Sequence, residues 1–315
     1  MRPALLLTAA LAAVCVLTSA CEGSGADVVL ATRSPDSGLA TSAPLPDTGI
    51  PSPPASASSA ASESASTVPV PEFPDEATTG VPEGVALKPS ESLTIAEDGT
   101  VIDGLHVKGQ ITIDADDVTI RNTLVQTDTS LYPIRVLGGT SGALIEDVEV
   151  DNLGGTGLGI FFSGSGTVRR ADIHSAEDGI RIQSDDVTIE DSYIHDLHRQ
   201  SGGHHDAIQI RSGDNITIRG NNLQAYVVPA DDPMNAALQI GSLLGDDTIS
   251  DLVVTGNLMN GGNYTINGGG RGEVDSAHYA NNRFGRNYRF SVTGNLHNSV
   301  WEDTNVWHDT GEPVD

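Results

Sequence analysis

Pairs of apolar residues, separated by four other positions, recur along the chain from residue 101 onward. The first pair is Ile102/Val107 and the last is Trp301/Val306. The first members of successive pairs lie 18, 25, 23, 21, 29, 36, 25 and 22 residues apart. The pairs between are Ile120/Val125, Ile145/Val150, Val168/Ile173, Ile189/Ile194, Ile218/Leu223, Val254/Met259 and Tyr279/Phe284. Short apolar segments repeating at this interval are typical of a solenoid, so the pattern predicts about nine coils.

A second set of apolar residues follows most of the pairs and alternates with polar residues. Examples are Ile180-Arg181-Ile182 and Ile208-Gln209-Ile210. The other segments of this kind are Ile134-Arg135-Val136, Leu238-Gln239-Ile240 and Tyr264-Thr265-Ile266. A period of two predicts short strands with one buried face. Because no amphipathic helical stretch accompanies the strands, the pattern predicts an all-β, parallel β-solenoid.

The second residue after each first apolar member is predicted to lie in a turn. Most of these positions carry residue types that tolerate a left-handed backbone. They are Gly104, Asn122, Asp147, Arg170, Asp191, Gly220, Gly256, Asn281 and Asp303. The repeat therefore places one turn column along the solenoid.

Charges of alternating sign follow the first apolar member on five successive coils. The residues are Arg121, Glu146, Arg169, Glu190 and Arg219. Stacked parallel strands lie about 4.8 Å apart, so opposite charges would lie above one another. A basic patch for an acidic glycan is the alternative interpretation, but alternating signs cancel the field that a polyanion needs. The column is therefore predicted to be a stabilising ion-pair ladder.

The repeated phrases resemble the right-handed parallel β-helix proteins of the pectate-lyase-like superfamily. Residues 185–192 (DDVTIEDS) and 213–221 (GDNITIRGN) are examples of these phrases. The resemblance covers about residue 80 to the C-terminus and implies a right-handed coil. Much of that superfamily acts on polysaccharides as lyases, hydrolases or epimerases, while other members only adhere. No stretch matches a particular family's catalytic motif, so the resemblance assigns no catalytic residue.

The N-terminus has the features of an export signal. Met1-Arg2 is cationic, residues 4–17 are apolar, and the small residues Thr18-Ser19-Ala20 precede Cys21. This pattern predicts a signal peptide over 1–20 and lipidation of Cys21. The expected location is the outer face of a bacterial membrane. The alternatives are a secreted protein, cleaved near Ala20, and a short membrane anchor.

The segment that follows is rich in Ala, Ser, Thr and Pro, as in residues 51–66. Such a composition cannot bury enough apolar surface to offset the entropy of ordering it. We therefore expect a disordered tether over 21–80 and a β-helix domain over 81–315.

The net charge limits the partners. The chain has 16 Lys and Arg residues against 43 Asp and Glu, a net charge of −27. Nucleic-acid binding is not expected, because phosphate contacts need clustered cations. The expected partners are a polysaccharide and, through the lipid anchor only, a membrane. The domain is expected to be a monomer.

Two aspartates form the most informative constellation in the second set of strands. Asp178 and Asp206 each lie two residues before an inward isoleucine, so they should share an outward column on adjacent coils. Glu177 and His205 directly precede them. Two carboxyl groups about 5 Å apart either share a proton or bind a cation such as calcium. A solvated pair of turn aspartates is the alternative.

Histidines and long loops point to the same place. Four of the nine histidines lie in residues 195–205, and His174 shares a column with His195. The longest connections between strands follow one another, at 195–206 and 224–236. Loops on neighbouring coils of a rigid scaffold form cleft walls. The residues expected to converge there are Asp178, Asp206, His205 and Arg181 as catalytic groups, and Arg135, Gln209, Gln239, His174 and His195 as substrate-binding groups.

Three functions fit these residues. In a polysaccharide lyase, Asp178 and Asp206 would hold the cation that neutralises a uronate, and a His or Arg181 would remove the proton. In a glycoside hydrolase, one aspartate would be the acid and the other the base or nucleophile. The third function is a glycan-binding or adhesive module without catalysis.

Overall fold

The computed structural model describes residues 72–241, 248–268 and 273–314. The predicted signal peptide, Cys21 and most of the predicted tether lie outside the described residues. In chain order, the strands are β1 (Lys88–Ser90), β2 (Leu93–Ile95), β3 (Val101–Asp103), β4 (Leu105–Val107), β5 (Ile111–Ile113), β6 (Thr119–Gln126), β7 (Ile134–Val136), β8 (Ala143–Asp151), β9 (Ile160–Phe162), β10 (Gly166–Arg169), β11 (Asp172–His174), β12 (Ile180–Gln183), β13 (Val187–Glu190), β14 (Tyr193–Ile194), β15 (Asp206–Asp214), β16 (Thr217–Arg219), β17 (Asn222–Gln224), β18 (Ala236–Ile240), β19 (Thr248–Ser250), β20 (Leu252–Thr255), β21 (Leu258–Asn260), β22 (Tyr264–Asn267), β23 (Glu273–Val274), β24 (Ala277–Ala280), β25 (Arg283–Phe284), β26 (Ser291–Gly294), β27 (Ser299–Trp301) and β28 (Val306–Trp307). A 3₁₀ turn spans Val228–Ala230.

Sheet A contains the predicted apolar pairs, stacked in parallel register. Its strands are β1, β3, β4, β6, β8, β10, β11, β13, β14, β16, β17, β20, β21, β24, β25, β27 and β28. The first members pair from Ile102 with Ile120 through to Tyr279 with Trp301, which confirms the nine-fold stack. The last pair was predicted one residue early, because Phe284 pairs with Trp307 and not with Val306.

Sheet B contains the second set of segments and faces sheet A across the core. Its strands are β2, β5, β7, β9, β12, β15, β18, β22 and β26. Ile180 pairs with Ile208 and Ile208 with Leu238, as predicted. The register predicted for Tyr264-Thr265-Ile266 was wrong. Leu238 pairs with Ile266, so the outward side chain after Gln239 is that of Asn267, and Thr265 is fully buried. The pattern also missed β9, where Phe161 occupies the position that is polar in most neighbouring strands and so breaks the alternation.

The interior is a continuous column of aliphatic side chains, because each inward position stacks on its equivalent in the next coil. Ile120, Ile145, Ile180 and Ile208 have no exposed surface. The described structure is thus an all-β, parallel β-helix. Among the described residues, no helix is long and apolar enough to cross a membrane.

The predicted turn column is confirmed at eight of its nine positions. These eight residues have φ between 48° and 71°, the left-handed region, while Asp303 is not among the positive-φ residues. The next position in three later coils carries Asn221, Asn257 and Asn282, and Asn305 continues this column in the last coil; all four are fully buried. Each of the first three donates from Nδ2 to Oδ1 of the next at 2.9–3.0 Å. This internal amide ladder satisfies polar groups that would otherwise be buried alone.

The charged column of sheet A forms a ladder of separate ion pairs, so the predicted ladder is confirmed only in part. Arg169 bonds Glu146 at 2.5 Å, and Arg219 contacts Glu190. Arg121 pairs with Asp103 of the preceding coil at 2.8 Å, and among the described residues no ion pair joins it to Glu146. These arginines therefore have carboxylate partners from neighbouring coils.

Residues 72–80 lie on the outer surface of sheet A, so the chain contacts the solenoid before the predicted boundary at residue 81. The Gly80 N–H donates to the Arg170 carbonyl at 2.9 Å, and Asn222 Nδ2 donates to the Pro74 carbonyl at 2.8 Å. The Phe73 ring lies edge-on to His308 in the last coil, at 5.9 Å. The segment therefore spans several coils.

Candidate active site

An outward row of side chains runs along sheet B, one from each of six coils. The register places Arg135, Phe161, Arg181, Gln209, Gln239 and Asn267 in this sheet B row. Two loops, residues 195–205 before β15 and residues 225–235 before β18, emerge beside the row on adjacent coils. The predicted adjacency of the long loops is thus present.

Asp178 and Asp206 lie in one column on adjacent coils, as the spacing predicted. Arg181 donates from a terminal guanidinium nitrogen to Asp178 Oδ2 at 2.7 Å, and the Asp206 N–H donates to Asp178 Oδ1 at 2.9 Å. Asn235 Nδ2 donates to Asp206 Oδ1 at 2.6 Å, and Gln209 Nε2 donates to Asp206 Oδ2 at 3.3 Å. The four carboxyl oxygens therefore all accept hydrogen bonds from the protein.

Both aspartates have no exposed surface, so the alternative of a solvated turn pair is wrong. Burial, and then the neighbouring charge of Asp178, raise the pKa of Asp206 well above its usual range, although the Asn235 hydrogen bond opposes this. Arg181 compensates Asp178, whereas Asp206 has only neutral amide partners. The folded protein therefore favours the protonated form of Asp206.

Glu177, which precedes the pair, is more accessible. Burial and the charge of Asp178 raise its pKa, while the His204 backbone N–H acts in the opposite direction. Glu177 Oε1 would lie 2.6 Å from a Cβ placed on Gly203, so a larger residue at 203 would push the loop off this carboxyl group. Three acidic groups thus gather under loop 195–205, two of them with raised pKa values.

His205 is fully buried and helps to shape the loop. Its Nε2 accepts the Gln200 backbone N–H at 2.6 Å, which places the ring proton on Nδ1. Burial, and then the charge of Arg199, lower the pKa of His205. Among the described residues, Nδ1 has no hydrogen-bond partner. With its lone pair already used, His205 positions the loop in this conformation and is not free to take a proton.

An amide network continues the site toward the C-terminus. Asn267 Nδ2 donates to Gln239 Oε1 at 2.8 Å, and Asn235 Nδ2 also lies 3.3 Å from that oxygen. Asn235 was missed in the sequence. Its position directly before β18 is equivalent to that of His205 before β15, so the register could have revealed it.

The two long loops are joined to each other by an ion pair. Arg199 of the first loop forms a two-point contact with Asp232 of the second, including Nη2 to Oδ1 at 2.7 Å. Gln200 Nε2 donates to the Gly154 carbonyl at 3.1 Å. A cleft of about 460 Å³, lined among others by His204, Asn235 and Arg289, lies beside this contact.

His174 and His195 do not join this site, so their predicted convergence with Asp178 and Asp206 is wrong. His195 bonds Asp172 through Nε2 at 2.9 Å and Asp196 through Nδ1 at 2.7 Å, on the outside of sheet A. Burial acts to lower the pKa of His195, but these two hydrogen bonds outweigh it and raise the pKa. The rings of His174 and His195 lie 5.4 Å apart. They form a separate ionic cluster, because they leave the strand on the sheet A surface.

Arg135 lies two coils before Arg181 in the sheet B row. Its guanidinium lies 5.6 Å from the Tyr132 ring centre and 5.7 Å from that of Phe161. The two rings stack at 4.6 Å. Arg135 and these rings therefore form an aromatic platform at a distance from the carboxyl pair.

The side chains of this site do not favour the binding of a metal ion. Among residues 72–241, 248–268 and 273–314, no group of three or more His, Cys, Asp or Glu side chains is arranged to hold one. Asp178 and Asp206 already accept protein hydrogen bonds at every carboxyl oxygen. The residues present do not fit the predicted calcium site.

Comparison with known proteins agrees with this architecture. Residues 83–242, about half of the chain, match the family described as "Right handed beta helix region". The chain belongs to the right-handed β-helix family. No curated protein and no solved structure matches it. The coil is therefore right-handed, and β-helix regions of this kind are consistent with polysaccharide-related proteins in general.

Proposed function

We propose that this β-helix protein binds a polysaccharide along sheet B and hydrolyses it at the Asp178–Asp206 pair. The observation that carries the proposal is the different environment of the two carboxyl groups. Asp206 has a raised pKa and only neutral amide partners, whereas Asp178 is paired with Arg181. An acid that keeps its proton beside a carboxylate that keeps its charge is the pairing that glycoside hydrolysis requires.

In this mechanism, Asp206 donates its proton to the glycosidic oxygen as the bond breaks. Asp178 acts from the adjacent coil. As a base it removes a proton from the water that attacks the anomeric carbon; as a nucleophile it forms a glycosyl ester, which water then hydrolyses while Asp206 takes up that water's proton. Arg181 holds the Asp178 carboxyl group by its hydrogen bond. Because both carboxyl groups are buried, the glycan reaches them only when loop 195–205 moves. The contact of Arg199 with Asp232 and the bond of Gln200 to Gly154 are the interactions to be broken.

Hydrolysis accounts for the site better than the lyase interpretation does. A lyase of the predicted kind needs a cation on Asp178 and Asp206, and their oxygens are already bonded to protein donors. It also needs a base, but His205 has its lone pair occupied by the Gln200 N–H, and Arg181 is paired with Asp178.

Glycan binding without cleavage is the second candidate. The complete burial and full hydrogen bonding of the pair favour it, since such a pair can also serve only to hold two coils together. In that case the sheet B row, with Arg135 and its aromatic platform, would carry the whole function.

A panel of polysaccharides separates these functions. We expect new reducing ends without unsaturated products, and no effect of a chelator. Asp206→Asn should abolish turnover and keep binding, while the exposed Asp185→Asn serves as the matched control. Unsaturated products would support a lyase, binding without any cleavage would support the second candidate, and neither binding nor cleavage would reject the proposal.

The expected location rests on Cys21. We expect acylation of this residue and retention of the protein in the membrane fraction of the producing cell. Cys21→Ser should release the protein into the soluble exported fraction. A parent protein that is already soluble would leave secretion as the proposal.

A further inference from the structure

A small pocket of about 90 Å³ opens between the amide side chains of sheet B and loop 195–205. Its polar lining consists of His204, Gln209, Arg211, Asn235, Gln239 and Asn267. It shares His204 and Asn235 with the cleft of about 460 Å³ beside the Arg199–Asp232 contact. The two spaces are therefore neighbours, and Asn235 also bonds Asp206.

Gln209 is the polar group in this pocket that calls for a ligand. Its side chain bonds Asp206 through Nε2, and the residue is only 4% exposed. Among the described residues, its Oε1 has no hydrogen-bond partner. A buried acceptor left unpaired is costly, so a ligand that donates a hydrogen bond there would be favoured.

The side chains around Gln209 favour a ligand whose hydrogen-bond donor is uncharged. Three of the lining side chains besides Gln209 are neutral amides, and Arg211 already has an interaction of its own. An anionic ligand would meet the −27 net charge of the chain. A hydroxyl both donates and accepts, so it can bond Gln209 and a neighbouring amide together.

The small size of the pocket favours a substituent of a sugar over a whole sugar ring. Its volume of about 90 Å³ is about a fifth of the neighbouring 460 Å³, and the larger volume lies within the usual range of small-molecule sites. Building on the proposed function, we propose that the pocket holds the exocyclic hydroxymethyl group of a neutral hexose unit. The ring of that unit lies in the larger cleft, next to Asn235, which bonds Asp206.

Matched sugars that differ only at this substituent test the proposal. Three triplets suffice: glucose, xylose and glucuronate; galactose, L-arabinose and galacturonate; and mannose, lyxose and mannuronate. Each is presented as a trisaccharide to the full chain, and affinity is measured by ligand-observed NMR. In at least one triplet, the hexose should bind about tenfold more tightly than the pentose and the uronate, the worth of one buried hydrogen bond.

Gln209→Leu should remove this preference, so that hexose and pentose bind alike, whereas Gln224→Leu on sheet A should keep it. Thermal melting verifies that both variants fold. If a pentose or uronate binds as tightly as its hexose in every triplet, the pocket assignment is overturned and the proposed function stands. Unchanged preference in Gln209→Leu also overturns it. If no saccharide binds, the proposed function and the pocket assignment fall together.

Discussion

Sheet A and sheet B both stack outward side chains about 4.8 Å apart, yet they stack different charges. On sheet A, opposite charges alternate, and Glu146 and Glu190 each lie against an arginine of the next coil. On sheet B, two carboxyl groups follow one another, and only Asp178 has a cationic partner. The first arrangement stabilises the coil, whereas the second disfavours one ionised carboxylate, which is typical of a functional site.

The burial of the two columns sharpens this contrast. The side chain of Arg169 is 37% exposed, so water screens its attraction to Glu146. Asp178 and Asp206 lie in a dry environment, where like charges repel strongly. We therefore expect mutations in the exposed ladder to change the free energy of unfolding little. Mutations in the buried pair should change it more, and its dependence on pH should change with them.

The largest effect should come from the core that both sheets share. Ile208→Asp would bury an unpaired charge behind the carboxyl pair, and Ile189→Asp would do the same behind the ladder. We expect each variant to lose the folded state, with a cost above about 4 kcal/mol. Circular dichroism of the purified protein measures this. A folded Ile208→Asp protein would contradict the assignment of Ile208 to the interior.

Breaking the ion pair of sheet B should have the next largest effect. Asp178→Asn leaves the guanidinium of Arg181, whose side chain is 19% exposed, without its carboxylate. We expect a loss of about 1–3 kcal/mol in the free energy of unfolding, measured by denaturant titration. A variant as stable as the parent would show that Arg181 finds another partner, most directly Asp206.

Asp206→Asn should change stability in the opposite direction. The raised pKa of Asp206 means that the folded state favours the protonated acid. The stability that protonated Asp206 contributes to the folded state is fully present below the unfolded pKa of about 3.9, and it is lost as pH rises through the folded pKa. The variant should therefore match the parent near pH 4 and exceed it by about 1 kcal/mol near pH 8.

Asp178→Asn is the control for this experiment, because it removes the other carboxylate of the pair and is expected to destabilise the protein. A difference that shrinks as pH rises would contradict the charge states assigned to the pair.

The smallest effect is expected in the ladder of sheet A. Arg169→Ala removes one exposed partner of Glu146, which keeps its contact with Arg170 at 3.1 Å. We expect a loss of less than about 1 kcal/mol, reduced further by added salt. A severe loss, measured by the same titration, would mean that the ladder holds the coils together.

Comparing the chain with its fold shows where sequence reasoning succeeds. The apolar pairs predicted sheet A to the residue over eight coils, because a one-residue shift would turn every core side chain outward. The prediction failed in the last coil, where one extra residue places Trp307 and not Val306 beside Phe284. It also failed in sheet B, where the aromatic Phe161 replaces the polar residue of the alternation. Neither a local insertion nor an aromatic substitution can be read from the spacing of apolar residues.

The sequence by itself determined the coil repeat, the turn column and the stacking of Asp178 on Asp206, since each follows from the spacing of residues in a stacked strand. Only the tertiary structure decided which of them are buried. Loop 195–205 folds over the pair and uses His205 for its own backbone, while His174 and His195 remain on sheet A with Asp172. A loop is positioned by contacts such as Arg199 with Asp232, which join residues 33 apart in the chain. No periodic pattern encodes such contacts, so the burial and charge state of the site depend on the folded molecule.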